Sequence, residues 1–129
     1  GWVEVVKYTM VNDFGTVINP LLVEGQSHGG VVQGIGQALF ERTVYNEDGQ
    51  FLTGSFTDYA LPRASDTPSF RIDYHSVPAK TNVLGAKGCG EAGCAGSLPS
   101  VMNAISDALG GKHVNMPATP ERVWEALHS

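Results

Sequence analysis

The sequence has few basic residues and no long apolar run. Eight Lys and Arg stand against thirteen Asp and Glu, so the formal net charge is −5 at pH 7. The basic residues are scattered, whereas nucleic acids and anionic membrane surfaces attract clustered ones. No apolar run approaches the roughly 20 residues of a membrane-spanning helix. We therefore expect neither a nucleic acid nor a membrane as a partner.

Cysteine is also scarce. Cys89 and Cys94 are too few for a disulfide framework and are two ligands short of a structural zinc site. The opening residues GWVEVVKYTM alternate and lack the basic and apolar regions of a signal peptide. We expect a cytoplasmic chain with no metal ligands and with both thiols free, as small apolar side chains. A thiol-redox protein using the two cysteines is the less favoured alternative.

Glycine, by contrast, is abundant. Sixteen of the 129 residues are glycine, about 12% against an average near 7%. Five of them lie in GAKGCGEAGCAG, residues 85–96, and four lie in residues 29–36. Glycine is favoured where the chain turns tightly or where other atoms approach the backbone closely.

The hydrophobic pattern predicts an α+β fold of mixed strands and helices, in a single domain over residues 1–129. Trp2–Val11 is rich in β-forming residues, and Phe70–Val77 alternates as a half-buried strand does. Asn46–Gln50 has the composition of a hairpin turn.

Helical spacing occurs in three segments. Val31–Glu41 has an apolar face, but its glycines require tight packing against another backbone. Ser97–Gly110 reads as a helix with Pro99 in its first turn and glycines at its end. The last helix is Thr119–Leu127, with Thr119 as its N-cap. Three of its side chains are predicted to face inward: Val123, Trp124 and Leu127.

Glu91 is the only carboxylate in the glycine-rich segment of residues 85–96. Gly90 and Gly93 flank it, so neighbouring side chains give it little support. A carboxylate held away from water binds a proton more readily, which suits a general base. The alternative is an ordinary exposed loop glutamate.

Gln26, Gln33 and Gln37 lie among the glycines of the other segment. Amides in such a place are suited to hydrogen-bonding a heterocycle, although solvated amides are the simpler interpretation. Gly34-x-Gly36 lacks the third glycine of a dinucleotide fingerprint. G-x-S-x-G is absent as well, so no serine nucleophile is predicted.

Four segments occur in a distinctive order: EGQSHGGVVQGIGQALFE, SFTDYALPRASDTP, NVLGAKGCGEAGCAGSLPSVMNAISDAL and MPATPERVWEAL. Together they closely resemble the C-terminal end of the molybdenum-binding large subunit of the xanthine dehydrogenase, aldehyde oxidase and carbon monoxide dehydrogenase family. The resemblance covers essentially the whole chain but only the last part of that subunit. It implies the C-terminal segment of a molybdopterin-binding domain.

The resemblance also implies roles for individual residues. Glu91 falls on the family's active-site base, which takes a proton from water or hydroxide at molybdenum. Gln26 falls on a glutamine that hydrogen-bonds the pterin, and Lys87 is expected to brace the loop electrostatically. The implied cofactor-binding residues are Gln26, Gln33, Gly34, Gly88, Cys89 and Gly90.

A molybdenum–molybdopterin cofactor, in its cytosine dinucleotide form, is thereby implied, with iron–sulfur clusters and FAD on partner subunits. The expected partners are the remainder of the molybdenum subunit, the iron–sulfur and flavin subunits, and a small-molecule substrate. An aldehyde, an N-heterocycle and carbon monoxide stay open as substrates. Alone, the chain is expected to be inactive and to expose apolar surface, which a homo-oligomer would cover. A non-catalytic binding module of the same fold is the alternative.

Overall fold

The structure is a computed structural model that describes residues 1–129, and it contains three α-helices and one pair of β-strands. A short 3-10 helix at Ala64–Asp66 lies between the two halves of the chain. This mixture confirms the predicted α+β class. The elements are β1 (Tyr8–Asn12), α1 (Pro20–Leu39), β2 (Phe70–Tyr74), α2 (Ala92–Ala108) and α3 (Pro120–His128).

The strands β1 and β2 pair in parallel, in a register that runs from Tyr8 opposite Phe70 to Asn12 opposite Tyr74. In both strands partly buried residues alternate with exposed ones, as the sequence pattern predicted. The predicted strand at Trp2–Val11 is too long, however. Residues 2–7 make no backbone–backbone hydrogen bond, because no neighbouring strand in this chain reaches them.

Helix α1 begins eleven residues before the predicted start at Val31. Asn19 provides the N-cap, since its side chain accepts a hydrogen bond from the Leu22 N–H at 3.3 Å. Pro20 occupies the first helical position, where it has no N–H left unpaired. The cluster of glycines concealed this start, because glycine lowers the helix propensity of the whole segment.

Helices α1 and α2 approach each other closely through glycine and serine. A Cβ added to Gly30 would lie 3.0 Å from the Gly93 Cα, and one added to Gly93 would lie 2.9 Å from the Gly30 Cα. Ser27 and Ser97 are fully buried beside this contact. The predicted approach of another backbone to the glycines of α1 is therefore confirmed.

Helix α2 begins at Ala92, five residues before the predicted Ser97, so Pro99 lies inside the helix and not in its first turn. Packing against α1 explains the difference, because tertiary contacts override the low helix propensity of Gly93 and Gly96. The predicted end is confirmed. Gly110 and the next glycine have φ angles of 68° and 90°, which close the helix.

The hydrophobic core lies mainly between α1 and α2. Helix α3 contributes only Val123, while Trp124 and Leu127 are 55% and 51% exposed. Their predicted inward orientation is wrong, because no other part of this chain covers that side of the helix. Thr119 occupies the N-cap position, but its side chain makes no capping hydrogen bond. The core residues are Val31, Ile35, Ala38, Leu39, Val101, Ile105, Val114, Ala118 and Val123.

The chain exposes an unusually large surface. Its 13.7 kDa present 8703 Å² to solvent, whereas a compact monomer of that mass presents about 6,600 Å². Several large apolar side chains contribute, including Trp2 at 83% exposure and Phe56 at 88%.

Replacing Gly93 by alanine is expected to destabilise the fold. The three atoms nearest to the new methyl group would be backbone atoms of Gly30 and Ser27, all at 2.9 Å, so the helices must separate. The expected loss is about 1–3 kcal/mol in the free energy of unfolding, measured by urea denaturation.

Gly96→Ala provides the matched control in the same helix. Nothing lies within 4 Å of a Cβ at Gly96, so alanine there should raise stability by up to about 1 kcal/mol. Equal effects of the two substitutions would contradict the close helix contact.

Candidate active site

The candidate site lies at the carboxyl ends of the two parallel strands, a common position for ligand sites in parallel sheets. The His75 N–H, just after β2, donates to the Asn12 carbonyl at the end of β1, at 2.8 Å. The loop that leads to Glu91 crosses this same end of the sheet. Its start is bonded to the residues that follow β1.

Backbone hydrogen bonds fix the start of that loop. The Lys87 N–H donates to the Phe14 carbonyl at 2.9 Å. The Gly85 carbonyl accepts from the Thr16 N–H at 3.0 Å and from the Ala79 N–H at 2.9 Å. The segment is thus bonded to the turns that follow both strands.

Asp13 adds a charged contact to these backbone bonds. Its Oδ1 accepts from the Gly15 and Val77 N–H groups, both at 2.9 Å, and its Oδ2 forms an ion pair with Lys87 Nζ. The hydrogen bond from Lys87, aided by the two N–H groups, lowers the pKa of Asp13 from 3.8 to about 2. Lys87 thus forms an ion pair of the kind that its predicted bracing role requires.

Sequence reasoning missed Asp13. A local signal was present, since an aspartate two residues before a glycine commonly closes an Asx turn. Nothing in the sequence pairs this turn with Lys87, because 74 residues separate them.

Glu91 occupies the N-cap position of α2, and its side chain is exposed and makes no capping hydrogen bond. The 129 residues therefore do not themselves withdraw this carboxylate from water. The amino end of a helix carries partial positive charge, which favours a carboxylate at this position. Glu91 is open to a group that lies outside the chain.

Gln26 lies beside the Glu91 loop. Its Nε2 donates to the Gly90 carbonyl at 3.4 Å, which joins the two glycine-rich segments. Gln33, two helical turns further along α1, is exposed on the same face. Gly34 instead faces α2, where an added Cβ would lie 3.0 Å from the Leu98 nitrogen. The contact observed for Gly34 is thus helix packing.

Gly88 and Gly90 have open space around them. A Cβ on Gly88 would meet nothing within 4 Å, and one on Gly90 would meet only the Gln26 Nε2 at 3.9 Å. Neither residue has a positive φ, so neither backbone strain nor crowding inside this chain requires glycine there. Cys89 between them is a partly buried free thiol. Bare backbone here suits the close approach of an external group.

The described residues contain no cluster of three or more His, Cys, Asp or Glu side chains placed to bind a metal ion. None of the helices combines the length and the apolar character required to span a bilayer.

The model of the family described as "molybdopterin cofactor-binding domain" matches residues 1–68, which is more than half of the chain. The chain belongs to this molybdopterin cofactor-binding family. The match confirms the predicted resemblance to molybdenum-binding large subunits and their C-terminal part.

Curated relatives of this molybdopterin-binding chain include the nicotine 6-hydroxylase large subunit of Paenarthrobacter nicotinovorans. The two are 44% identical over 98% of this chain and 16% of that subunit. The carbon monoxide dehydrogenase large chain of Afipia carboxidovorans is 38% identical over 92% of this chain and 15% of its own length. The chain thus spans about one sixth of these relatives.

Solved structures agree with this assignment. Quinoline 2-oxidoreductase from Pseudomonas putida 86 superposes with a TM-score of 0.91 and 37% identity, over 98% of this chain and 16% of that one. The arrangement of three helices and a small sheet is therefore that of the molybdopterin-binding domain.

Acid should weaken the attachment of the loop. Because the pKa of Asp13 is lower in the folded chain than in the unfolded one, its stabilising effect is present above about pH 4 and is lost as the pH falls toward 2. Thermal unfolding as a function of pH should show this loss, and Asp13→Asn should remove that part of the pH dependence.

Asp48→Asn is the control for that measurement. Asp48 lies in the exposed turn Asn46–Gln50, so this substitution should leave the pH profile unchanged. An identical acid dependence in the Asp13→Asn variant and the parent chain would contradict the role of the ion pair.

Proposed function

We propose that this chain forms part of the molybdenum subunit of a molybdenum hydroxylase and supplies Glu91 as the catalytic base, together with part of the cofactor-binding wall. The observation that carries the proposal is the hydrogen bond from Gln26 Nε2 to the Gly90 carbonyl. It brings the proposed pterin-binding amide next to the loop of the proposed base, although 64 residues separate the two.

The residues present fit a molybdopterin. The exposed amides of Gln26 and Gln33 offer both donors and acceptors to a heterocycle. Gly88 and Gly90 offer backbone that no side chain of this chain obstructs. Cys89 lies between them and is proposed to border the cofactor, in its cytosine dinucleotide form. When bound, the cofactor supplies a two-electron oxidation in which water is the source of oxygen.

Within that site the proposed role of Glu91 is to accept a proton. It lies at the N-cap of α2, and the loop before it is bonded at Lys87 and Gly90. A base must be held within hydrogen-bonding reach of the proton that it takes. The glycine-rich loop provides this reach without side chains that would block the cofactor. Alone, the chain is proposed to be inactive, because it forms only part of the cofactor site in which Glu91 would accept a proton.

The proposed partners are the remainder of the molybdenum subunit and separate iron–sulfur and flavin subunits that carry the electrons away. The large exposed surface supports protein contacts. One relative is named as a subunit of a dehydrogenase complex, which supports a multi-subunit assembly. Free Cys89 and Cys94 thiols support a reducing compartment such as the cytoplasm. The substrate is proposed to be a small molecule with an electrophilic carbon.

Glu91→Gln in the assembled enzyme should lower turnover by about 10²-fold or more, because the amide cannot accept the proton. The molybdenum content should stay near that of the parent enzyme, since the side chain keeps its size. Steady-state kinetics and metal analysis of the same preparation measure both quantities.

Glu125→Gln, an exposed carboxylate on α3, is the matched control and should leave turnover unchanged. Normal turnover in Glu91→Gln would contradict the assignment of Glu91 as the base. An assembly without molybdenum would favour the non-catalytic module instead.

Gln26→Ala tests the cofactor wall. Loss of its amide should lower the molybdenum and pterin content per chain, because a hydrogen-bonding group to the heterocycle is removed. Gln50→Ala, in the exposed turn, should leave the cofactor content unchanged. Metal analysis and pterin fluorescence after purification measure this, and equal cofactor content in both variants would refute the role of Gln26.

A further inference from the structure

We propose that Asp13 is a positioning residue for Glu91, because it fixes Lys87, and with it the start of the Glu91 loop, to the carboxyl ends of β1 and β2. The inference rests on the proposed role of Glu91 as the base. The Asp13 side chain makes no hydrogen bond to Glu91 or to any residue proposed to hold the cofactor, so its effect must pass through Lys87.

Three parts of the chain meet at the Asp13 carboxylate. The Gly15 N–H comes from the turn after β1, the Val77 N–H from the segment after β2, and Lys87 Nζ from the Glu91 loop. No other ion pair within 4.0 Å exists in the structure. A solvated ion pair by itself contributes little. Here two N–H groups already orient the carboxylate, so less freedom is lost when the lysine binds.

The residues between Lys87 and α2 depend on their two ends for their position. Gly88 has no neighbour within 4 Å of a Cβ position, and the only side-chain hydrogen bond to this part of the loop is that of Gln26 to Gly90, at 3.4 Å. Helix α2 holds Glu91 from one side. From the other side the loop is held at Lys87, by its N–H on the Phe14 carbonyl and by its side chain, whose only partner is Asp13.

This arrangement determines which kinetic parameter should change. Catalytic groups act only when held within about 0.5 Å of the productive position. With the Lys87 side chain released, Glu91 is still present and ionisable but is held less well. We expect kcat to fall because correct placement becomes rarer. KM should change little, since no residue that contacts substrate is altered.

The experiment uses the assembled enzyme with Asp13→Asn, Lys87→Met and Lys87→Arg. The asparagine oxygen can still accept from Gly15 and Val77 but carries no charge for the lysine. Asp13→Asn and Lys87→Met should each lower kcat about tenfold with KM within about twofold, whereas Lys87→Arg should keep most of the activity. The double variant should be no worse than either single variant, because both remove the same contact.

Hydrogen–deuterium exchange supplies a readout that does not depend on turnover. Amides of residues 85–91 should exchange faster in Asp13→Asn and Lys87→Met, while those of α1 and the molybdenum content stay unchanged. Asp107→Asn, an exposed carboxylate on α2, is the control and should alter neither exchange nor kcat.

Unchanged exchange and kcat in Asp13→Asn would overturn the inference, as would equal losses in Lys87→Arg and Lys87→Met. If Asp13→Asn fails to assemble, the comparison of the two Lys87 variants decides the question. Normal turnover in Glu91→Gln would instead remove the proposed function, and the exchange data would still report whether Asp13 holds the loop.

Discussion

The close contact between α1 and α2 is the constraint on which the rest of the structure depends. The two backbones meet at Gly30 and Gly93, where no side chain separates them. This contact places the start of α2 directly beside α1. The loop that precedes α2 must therefore lie along the face of α1 that carries Gln26 and Gln33. The hydrogen bond between Gln26 and Gly90 is a consequence of that approach. A larger residue at either glycine would move the Glu91 loop away from Gln26, even though neither glycine is itself a proposed site residue.

A second constraint acts from the sheet. Parallel strands bring their carboxyl ends to the same edge, and here that edge receives the turn at Asp13 and the segment at Val77. The glycine-rich loop is therefore held between a helix pair on one side and two strand ends on the other. A short, nearly bare loop can be well placed in this way although few of its own atoms make contacts. The helix pair and the strand ends fix the position of the loop, and its glycines leave its backbone accessible.

Much of this could be predicted from the sequence, and the failures have a common cause. The alternation of Phe70–Tyr74 and the glycine stop after α2 are local signals, and both were predicted correctly. Tight packing of the glycines in α1 was also foreseen. The starts of both long helices were missed, because tertiary packing outweighs the poor helix propensity of glycine. Trp124 was predicted to be buried because an amphipathic pattern shows which face is apolar and not whether anything covers it.

The unpaired segment before β1 affects how the protein can be produced. A parallel pair of strands with unbonded neighbouring backbone is a template onto which any extended chain can add. Trp2 and Val6 are both largely exposed, and burial of their apolar side chains would stabilise such an added strand. Produced alone, this chain is therefore at risk of fibre-like aggregation.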